Sequence, residues 1–127
     1  MCGIAGIVPF NQSKDKIEVG NMVDEIIHRG PDQRIIFKNN MGIFGFVRLQ
    51  IIDLTSKSDQ PFFSKNKKIK IIYNGEIYNY KNLKTTYFKN LPFKSNGDGE
   101  ILVHLYEKFG IKFLDKIKGM FSICIID

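Results

Sequence analysis

The chain has 127 residues, a formal net charge of +6 and a charged fraction of 25%. This length suits one domain with a buried core. No apolar stretch approaches the roughly 20 residues of a membrane-spanning helix, so no membrane association is expected. The N-terminus has no basic segment before its apolar residues, which argues against a signal peptide, and we predict a cytoplasmic protein.

The positive charge does not indicate nucleic-acid binding. Arg29, Arg34 and Arg48 are the only arginines among the 19 basic residues, and arginine is the residue that most often reads bases. The lysines are scattered along the chain, so we expect no nucleic-acid partner. The two cysteines have no metal-binding spacing and are too few for a disulfide framework, so no metal is expected.

The first third of the chain predicts a strand and a helix. Cys2–Val8 is short and apolar and ends at Pro9, as expected of a buried strand. Apolar residues then recur at helical spacing, and Gly30 and Pro31 end this amphipathic helix. The residues of its apolar face are Val19, Met22, Val23, Ile26 and Ile27.

The middle of the chain predicts mainly strands. We expect four of them, at Arg34–Phe37, Met41–Phe46, Arg48–Asp53 and Lys68–Tyr73. Asn39-Asn40 is a candidate hairpin turn, and Leu54–Pro61 reads as a polar loop. Asn74-Gly75 predicts a sharp turn after the fourth strand.

The last third of the chain mixes helices and strands. It predicts helices at Tyr80–Phe88 and from Asp98 to Phe109, a short strand at Leu91–Phe93 and a strand at Gly119–Asp127. Strands and helices come in blocks without a regular βαβ order, so we predict an α+β fold with mainly antiparallel sheets. Because the last strand ends at the last residue, we expect the fold to be incomplete at its C-terminus.

Cys2 is a candidate nucleophile because of its position. Removal of Met1 would leave Cys2 with a thiol and a free α-amine on one carbon. Such an amine has a pKa near ~8 and can act as the general base for the thiol. The alternative is an exposed thiol in an unprocessed chain.

Four segments, in this order, resemble one family. They are Met1-Cys2-Gly3-Ile4-Ala5-Gly6, His28-Arg29-Gly30-Pro31-Asp32, Arg48-Leu49-Gln50-Ile51-Ile52-Asp53-Leu54 with Gln60-Pro61, and Tyr73-Asn74-Gly75-Glu76-Ile77-Tyr78-Asn79. With Phe113-Leu114 and Gly119-Met120-Phe121, they resemble the class II glutamine amidotransferase domain of asparagine synthetases, an N-terminal-nucleophile hydrolase. The resemblance covers residues 1–127 as one truncated domain and implies antiparallel sheets sandwiched between helical layers.

The resemblance implies hydrolysis of L-glutamine to glutamate and ammonia. Cys2 would form a thioester with the substrate, and the side chain of Asn74 and the N–H of Gly75 would form the oxyanion hole. Arg48 would bind the glutamine carboxylate, whereas Glu76 and Asp98 would bind its α-ammonium. The pocket wall would be lined by Leu49, Ile51 and Ile52.

Several of these residues have a structural alternative. Asn74-Gly75 can be an ordinary hairpin turn, Arg48 a surface salt bridge and Asp98 a helix N-cap. Family members commonly carry Ser and Cys where this chain has Gly97 and Gly99, and two glycines are expected to loosen the loop around Asp98. Three further residues are expected to be structural: His28 in a turn, His104 as a partly buried or surface residue on the helix after Asp98, and Cys124 as an inert core thiol.

A synthetase domain that uses the ammonia, with ATP and Mg, has no counterpart in these residues. No cofactor is therefore expected in this chain, and the ammonia acceptor would belong to a separate synthetase-like subunit. One alternative is a catalytically weak or inactive truncated module that assembles with a partner or with itself. Another is a fragment without a separate role.

Overall fold

The computed structural model describes residues 2–9 and 15–127. Antiparallel sheets and helices alternate in blocks, as the predicted α+β class requires. The chain divides into two compact units, Met1–Gln50 and Ile51–Asp127, and each has its own apolar core. Within the described residues, no helix is both long and apolar enough to cross a membrane.

The first unit is a three-stranded antiparallel sheet with one helix packed on it. Strand β1 is Gly3–Ile7, helix α1 is Asp15–Glu25, strand β2 is Gln33–Lys38 and strand β3 is Ile43–Arg48. The strand order is β1-β3-β2, and Gly3 pairs with Val47 while Gln33 pairs with Arg48. Helix α1 packs against β1 and β3 through its buried apolar face. The core residues are Ala5, Val19, Val23, Ile43 and Val47.

The local patterns of this unit confirm most of the predicted elements. The helix ends at Glu25 and a 3-10 turn at Ile27–Arg29 leads into Gly30. The hairpin turn between β2 and β3 forms where it was predicted, because Oδ1 of Asn39 accepts hydrogen bonds from the N–H groups of Met41 and Gly42. An Asn side chain that binds the backbone two or three residues ahead stabilises such a turn.

The second unit joins a three-stranded antiparallel sheet to two helices. Its elements are strand β4 at Phe62–Phe63, strand β5 at Lys70–Ile77, helix α2 at Tyr80–Tyr87, helix α3 at Glu100–Phe109 and strand β6 at Gly119–Ile126. The strand order is β4-β5-β6, and α3 packs against β4 and β5. Its buried core includes Ile71, Ile77, Ile101, Leu105 and Phe113.

Three predicted elements are wrong. Arg48–Asp53 is not a strand, because β3 ends at Arg48 and Asp53 turns the chain by accepting hydrogen bonds from the N–H and hydroxyl of Thr55. Leu91–Phe93 is not a strand either, and the ring of Phe93 instead packs edge-to-face against that of His104. The third error, at Asn74-Gly75, concerns the candidate site.

Candidate active site

Cys2 immediately precedes β1, where contacts with two residues, Leu49 and Arg29, hold it. Its Sγ accepts a hydrogen bond from the N–H of Leu49 at 3.4 Å and lies 3.8 Å from the carbonyl oxygen of the same residue. Nε of Arg29 donates to the carbonyl oxygen of Cys2 at 3.1 Å. The thiol and the main chain of Cys2 are therefore fixed separately, while the residue stays partly exposed. Met1, whose removal the candidate chemistry needs, lies outside the described residues.

The segment His28–Asp32 organises the residues after β3. The N–H of Asp32 donates to the carbonyl of Arg48 at 3.0 Å, and its Oδ2 accepts from the N–H of Gln50 at 2.8 Å. The ring of His28 bonds to the carbonyl of Glu25 at 3.1 Å and is exposed, so His28 has the turn role that the sequence predicts. The motif thus holds both Cys2 and the stretch that begins at Arg48.

Arg48 is buried at the end of β3, with only 5% of its surface exposed. A buried guanidinium needs anionic or polar partners, so this burial argues against the alternative of a surface salt bridge. The three predicted wall residues differ in exposure: Leu49 is partly buried, whereas Ile51 and Ile52 are 68% and 40% exposed.

Asn74 and Gly75 lie inside strand β5 rather than in the predicted turn. Their register partners on β6 are Ser122 and Phe121, and β5 continues to Ile77. Gly75 has a φ of +152°, and a Cβ there would collide with the main chain of Met120 and Phe121. The strand passes through this position because glycine tolerates both the dihedral angle and the close approach.

The main-chain groups of β5 alternate between its two edges. Tyr73 binds Gln60 through its N–H and C=O, and the N–H of Ile77 binds Asp98, so these groups point away from β6. Tyr78, the next residue after Ile77, points the other way: its N–H donates to the carbonyl of Lys118, on the β6 side. Gly75 is two residues from both Tyr73 and Ile77, so its N–H points to the same edge as theirs, the edge opposite β6.

The side chain of Asn74 is not fully satisfied by the folded chain. Its Oδ1 is buried and has no hydrogen-bond partner among the described residues. Such groups are uncommon in folded proteins, because burial without a partner costs about 1–3 kcal/mol. The neighbouring Glu76 is exposed.

Asp98 is tied to both ends of the Asn74–Glu76 segment. Its Oδ1 accepts from the hydroxyl of Tyr73 at 2.5 Å, and its Oδ2 accepts from the N–H of Ile77 at 2.8 Å. The suggested N-cap role of Asp98 is wrong, because helix α3 begins at Glu100 with Gly99 at the N-cap position and no side-chain cap. Asp98 is 5% exposed, and each of its oxygens keeps a second lone pair for a ligand.

The loop before Asp98 is held by charged side chains. Glu100 accepts from the N–H groups of Lys94 and Ser95, and Asp53 accepts from the N–H of Asn96. Nζ of Lys84 donates to the carbonyls of Ser95 and Gly97, at 3.4 and 3.1 Å. We call residues 94–98 the Asp98 loop. Two carboxylates and one ammonium thus bind its main chain.

The pKa values of these carboxylates follow from their hydrogen bonds. Bonds from the hydroxyl and N–H of Thr55 lower the pKa of Asp53 well below its ordinary value, against the opposing effect of burial. Burial raises the pKa of Glu100, but bonds from His104 and from the N–H of Lys94 and Ser95 outweigh it and lower the pKa to about 2. Both groups are charged at neutral pH.

The expectation that Gly97 and Gly99 loosen the Asp98 loop does not agree with its packing. A Cβ on Gly97 would approach Oγ of Ser58 at 2.7 Å. A Cβ on Gly99 would collide with the rings of Phe62 and Tyr73. Both glycines are buried, so they admit neighbouring side chains rather than add freedom. Packing of this kind could not be foreseen without the positions of Phe62 and Tyr73.

The predicted site residues form two groups, one in each unit. Cys2, Arg48 and Leu49 are neighbours in the first unit, and the Asn74–Glu76 segment and Asp98 are neighbours in the second. No role is predicted from the sequence for Arg29, Gln60 or Tyr73, although all three fall within the motifs that carry the resemblance.

His104 and Cys124, the other two residues predicted to be structural, lie outside both groups. His104 lies near Glu100 and Glu107 on α3, and burial raises the pKa of the Cys124 thiol on β6.

The chain belongs to the glutamine amidotransferase domain family, which it matches over residues 1–127. It is 44% identical over 131 residues to the glutamine-hydrolysing asparagine synthetase 2 of Bacillus subtilis. The glutamine-hydrolysing asparagine synthetases of Arabidopsis thaliana (number 1) and Zea mays are 35% and 36% identical to it over 129 and 130 residues. All of this chain is covered in each case, but only 17% of the first relative and 22% of the other two.

Proposed function

We propose that this chain hydrolyses L-glutamine to glutamate and ammonia through a thioester on Cys2, within an N-terminal-nucleophile sandwich. The observation that supports this proposal best is the double anchoring of Cys2. Leu49 fixes its sulfur and Arg29 fixes its carbonyl oxygen, so the thiol has a defined position on a partly exposed residue. A nucleophile held in one place reduces the entropy cost of attack.

The reaction would run in two halves. With Met1 removed, the α-amine of Cys2 takes the thiol proton, and the thiolate attacks the side-chain amide carbon of glutamine. The tetrahedral intermediate collapses as the C–N bond breaks, and the α-ammonium gives its proton to the departing ammonia. Water then attacks the thioester, which releases glutamate and restores the thiol.

The oxyanion of that intermediate would be stabilised by Asn74 and Gly75. One observation supports Gly75 as a donor: by the alternation of the strand, its N–H lies on the edge of β5 away from β6. Asn74 is proposed from the resemblance, and its side-chain N–H groups are the donors that it can supply. Donors that are already oriented stabilise developing charge without reorganisation.

The two charges of free glutamine would be bound by separate groups. Arg48 would take the carboxylate, where a planar guanidinium donates two parallel hydrogen bonds. Asp98 and Glu76 would take the α-ammonium, with Asp98 oriented by Tyr73 and Ile77. The wall would be contributed by Leu49, Ile51 and Ile52.

The ammonia would be used by a synthetase-type site outside these 127 residues. The relatives are glutamine-hydrolysing asparagine synthetases, and this chain spans about a fifth of their length. We therefore propose a synthetase-like protein, in the same cytoplasmic compartment, as the partner that receives ammonia, with asparagine as the product.

A second candidate function is assembly without catalysis. Strand β6 is an outer strand of its sheet, and Met120 and Phe121 on it are 51% and 38% exposed. Outer strands with apolar side chains favour pairing with another chain, either a partner or a second copy. Light scattering separates the candidates, since a monomer that hydrolyses glutamine argues for the enzyme alone.

The proposed function is tested by intact mass before and after treatment with a diazoketone analogue of glutamine. The starting mass reports whether Met1 is lost. One adduct on Cys2, suppressed by excess glutamine, is expected for the wild type and for Cys124→Ser, and none for Cys2→Ser. A processed wild-type protein that stays unmodified would contradict the proposal.

A further inference from the structure

The side chain of Gln60 acts as a strand neighbour for Tyr73. Its Oε1 accepts from the N–H of Tyr73 at 2.7 Å, and its Nε2 donates to the carbonyl of Tyr73 at 3.1 Å. An amide carries one acceptor and one donor group, like a peptide unit, so it satisfies both main-chain groups of one residue. Gln60 is only 5% exposed, and both bonds are therefore shielded from water.

Gln60 lies where the hydrogen-bond ladder between β4 and β5 would continue. Strand β4 contains only Phe62 and Phe63, and Phe62 pairs with Ile71. An unbroken antiparallel ladder in this register would place residue 60 opposite Tyr73 and residue 58 opposite Gly75. The bonds at the first of these positions come from the side chain of Gln60 instead of its main chain.

The main-chain hydrogen-bond ladder between β4 and β5 therefore ends before it reaches Gly75. Ser58, which would have come next, donates its hydroxyl to Asp53 at 2.9 Å. The N–H of Gly75 points to the same edge as the groups that Gln60 binds, by the alternation of the strand. On the far side of Gly75, the N–H of Ile77 is held by Asp98. The side chains of Gln60 and Asp98 thus fix the edge of β5 on either side of the Gly75 N–H.

We infer that Gln60 is a positioning residue for the oxyanion hole. It holds the main chain of Tyr73, and through it the direction of the Asn74 side chain and the Gly75 N–H, while it ends the ladder so that this N–H remains available to substrate. This inference rests on the proposed hydrolysis of glutamine. It assigns a role to Gln60-Pro61, a motif that the proposed reaction otherwise leaves unused.

The first test separates kcat from KM. Gln60→Met has a similar volume and removes both hydrogen bonds. Removal of one oxyanion donor lowers kcat by about 10²–10³ in other enzymes, and a misdirected donor should cost less, so we expect kcat to fall about 10- to 100-fold. KM should change less than about threefold, because the side chains proposed to bind the glutamine head are all retained and Asp98 is still held by the N–H of Ile77. Thermal unfolding and far-UV circular dichroism report whether the variant is folded.

The second test uses pH. A carboxylate in Gln60→Glu accepts from the N–H of Tyr73 but cannot donate to its carbonyl, whereas the protonated acid does both. Burial raises the pKa of such a group. The ratio of kcat in Gln60→Glu to kcat in the wild type should therefore rise as the pH falls from about 8 to about 6, and the ratio for Gln60→Met should stay constant.

The outcomes distinguish the two proposals. An active wild type with unchanged kcat in folded Gln60→Met would overturn the positioning role alone. If Gln60→Met does not fold, a Gln60→Glu variant whose deficit is the same at every pH would overturn it. A wild type that neither hydrolyses glutamine nor reacts at Cys2 would overturn the proposed function, and this inference with it.

Discussion

The hydroxyl of Tyr73 donates a 2.5 Å hydrogen bond to Oδ1 of Asp98, although 25 residues separate them in the chain. The other oxygen of Asp98 binds the N–H of Ile77. A carboxylate proposed to bind substrate is thereby attached to the strand that carries the proposed oxyanion donors. Asp98 therefore links the proposed binding of the glutamine head to the proposed oxyanion donors Asn74 and Gly75.

Tyr73→Phe tests the orientation of Asp98. The ring keeps its packing against Phe62, but the bond to the carboxylate is lost. One hydrogen bond to a charged group contributes about 1.5–3 kcal/mol, and Ile77 still holds Asp98, so we expect KM for glutamine to rise about three- to tenfold with little change in kcat. Steady-state glutaminase assays measure both constants.

Tyr106→Phe is the matched control, since the hydroxyl of Tyr106 also bonds to a carboxylate, that of Asp127. KM should stay at its wild-type value in this variant. A fall in kcat without a rise in KM in Tyr73→Phe would argue against the orienting role.

Arg48→Lys tests the carboxylate clamp. Lysine keeps the charge but loses the planar fork that binds two oxygens, so KM for glutamine should rise about tenfold. Arg34→Lys is the control, because Arg34 forms an exposed ion pair with Asp24 at 2.8 Å. KM for glutamine should not change in this variant. Equal KM values in the two variants would leave the clamp without support.

Gly99→Ala tests the packing of the Asp98 loop. Its Cβ would collide with the rings of Phe62 and Tyr73, and overpacking a core costs about 1–3 kcal/mol. Urea unfolding should show that loss. Among the described residues, the new Cβ of Gly20→Ala on α1 meets only Ile36, at 3.9 Å, and this variant should raise stability by about 0.5–1 kcal/mol. A stabilising Gly99→Ala would restore the idea that this glycine loosens the loop.

Glu100→Gln tests the charged ties of the same loop. Folding lowers the pKa of Glu100 from 4.5 to about 2, so its ionised form stabilises the native state above pH 4.5. That contribution is lost as the pH falls from 4.5 towards 2. Urea unfolding should therefore find the wild type more stable than Glu100→Gln at neutral pH, with the difference shrinking across this window. A difference that does not depend on pH would exclude the charge as its cause.

The sequence predicted the elements that local patterns determine. The apolar run of β1, the helical spacing of α3 and the Asn39 turn each depend on residues close together in the chain. The turn expected at Asn74-Gly75 was wrong because β6, more than 40 residues later, pairs with this segment and keeps it extended.

For the candidate site too, sequence-based prediction is limited to what local patterns determine. Residue type and motif are enough to propose Cys2, Arg48 and Asp98 as candidates, because their side chains have few chemical substitutes. The supporting residues could not be found in this way. Gln60 and Tyr73 act through hydrogen bonds that span 13 and 25 residues, and no local pattern reports such a bond.

The N–H groups of Lys94, Ser95 and Asn96 are consecutive along the chain, yet two carboxylates from different segments, Asp53 and Glu100, bind them. Their spacing has to match the fixed positions of Asp53 and Glu100. A residue inserted there would move each N–H past its acceptor and rotate Asp98 away from Tyr73. We therefore expect natural length variation among homologues to avoid residues 94–98 and to fall in the exposed stretch 89–92 before them.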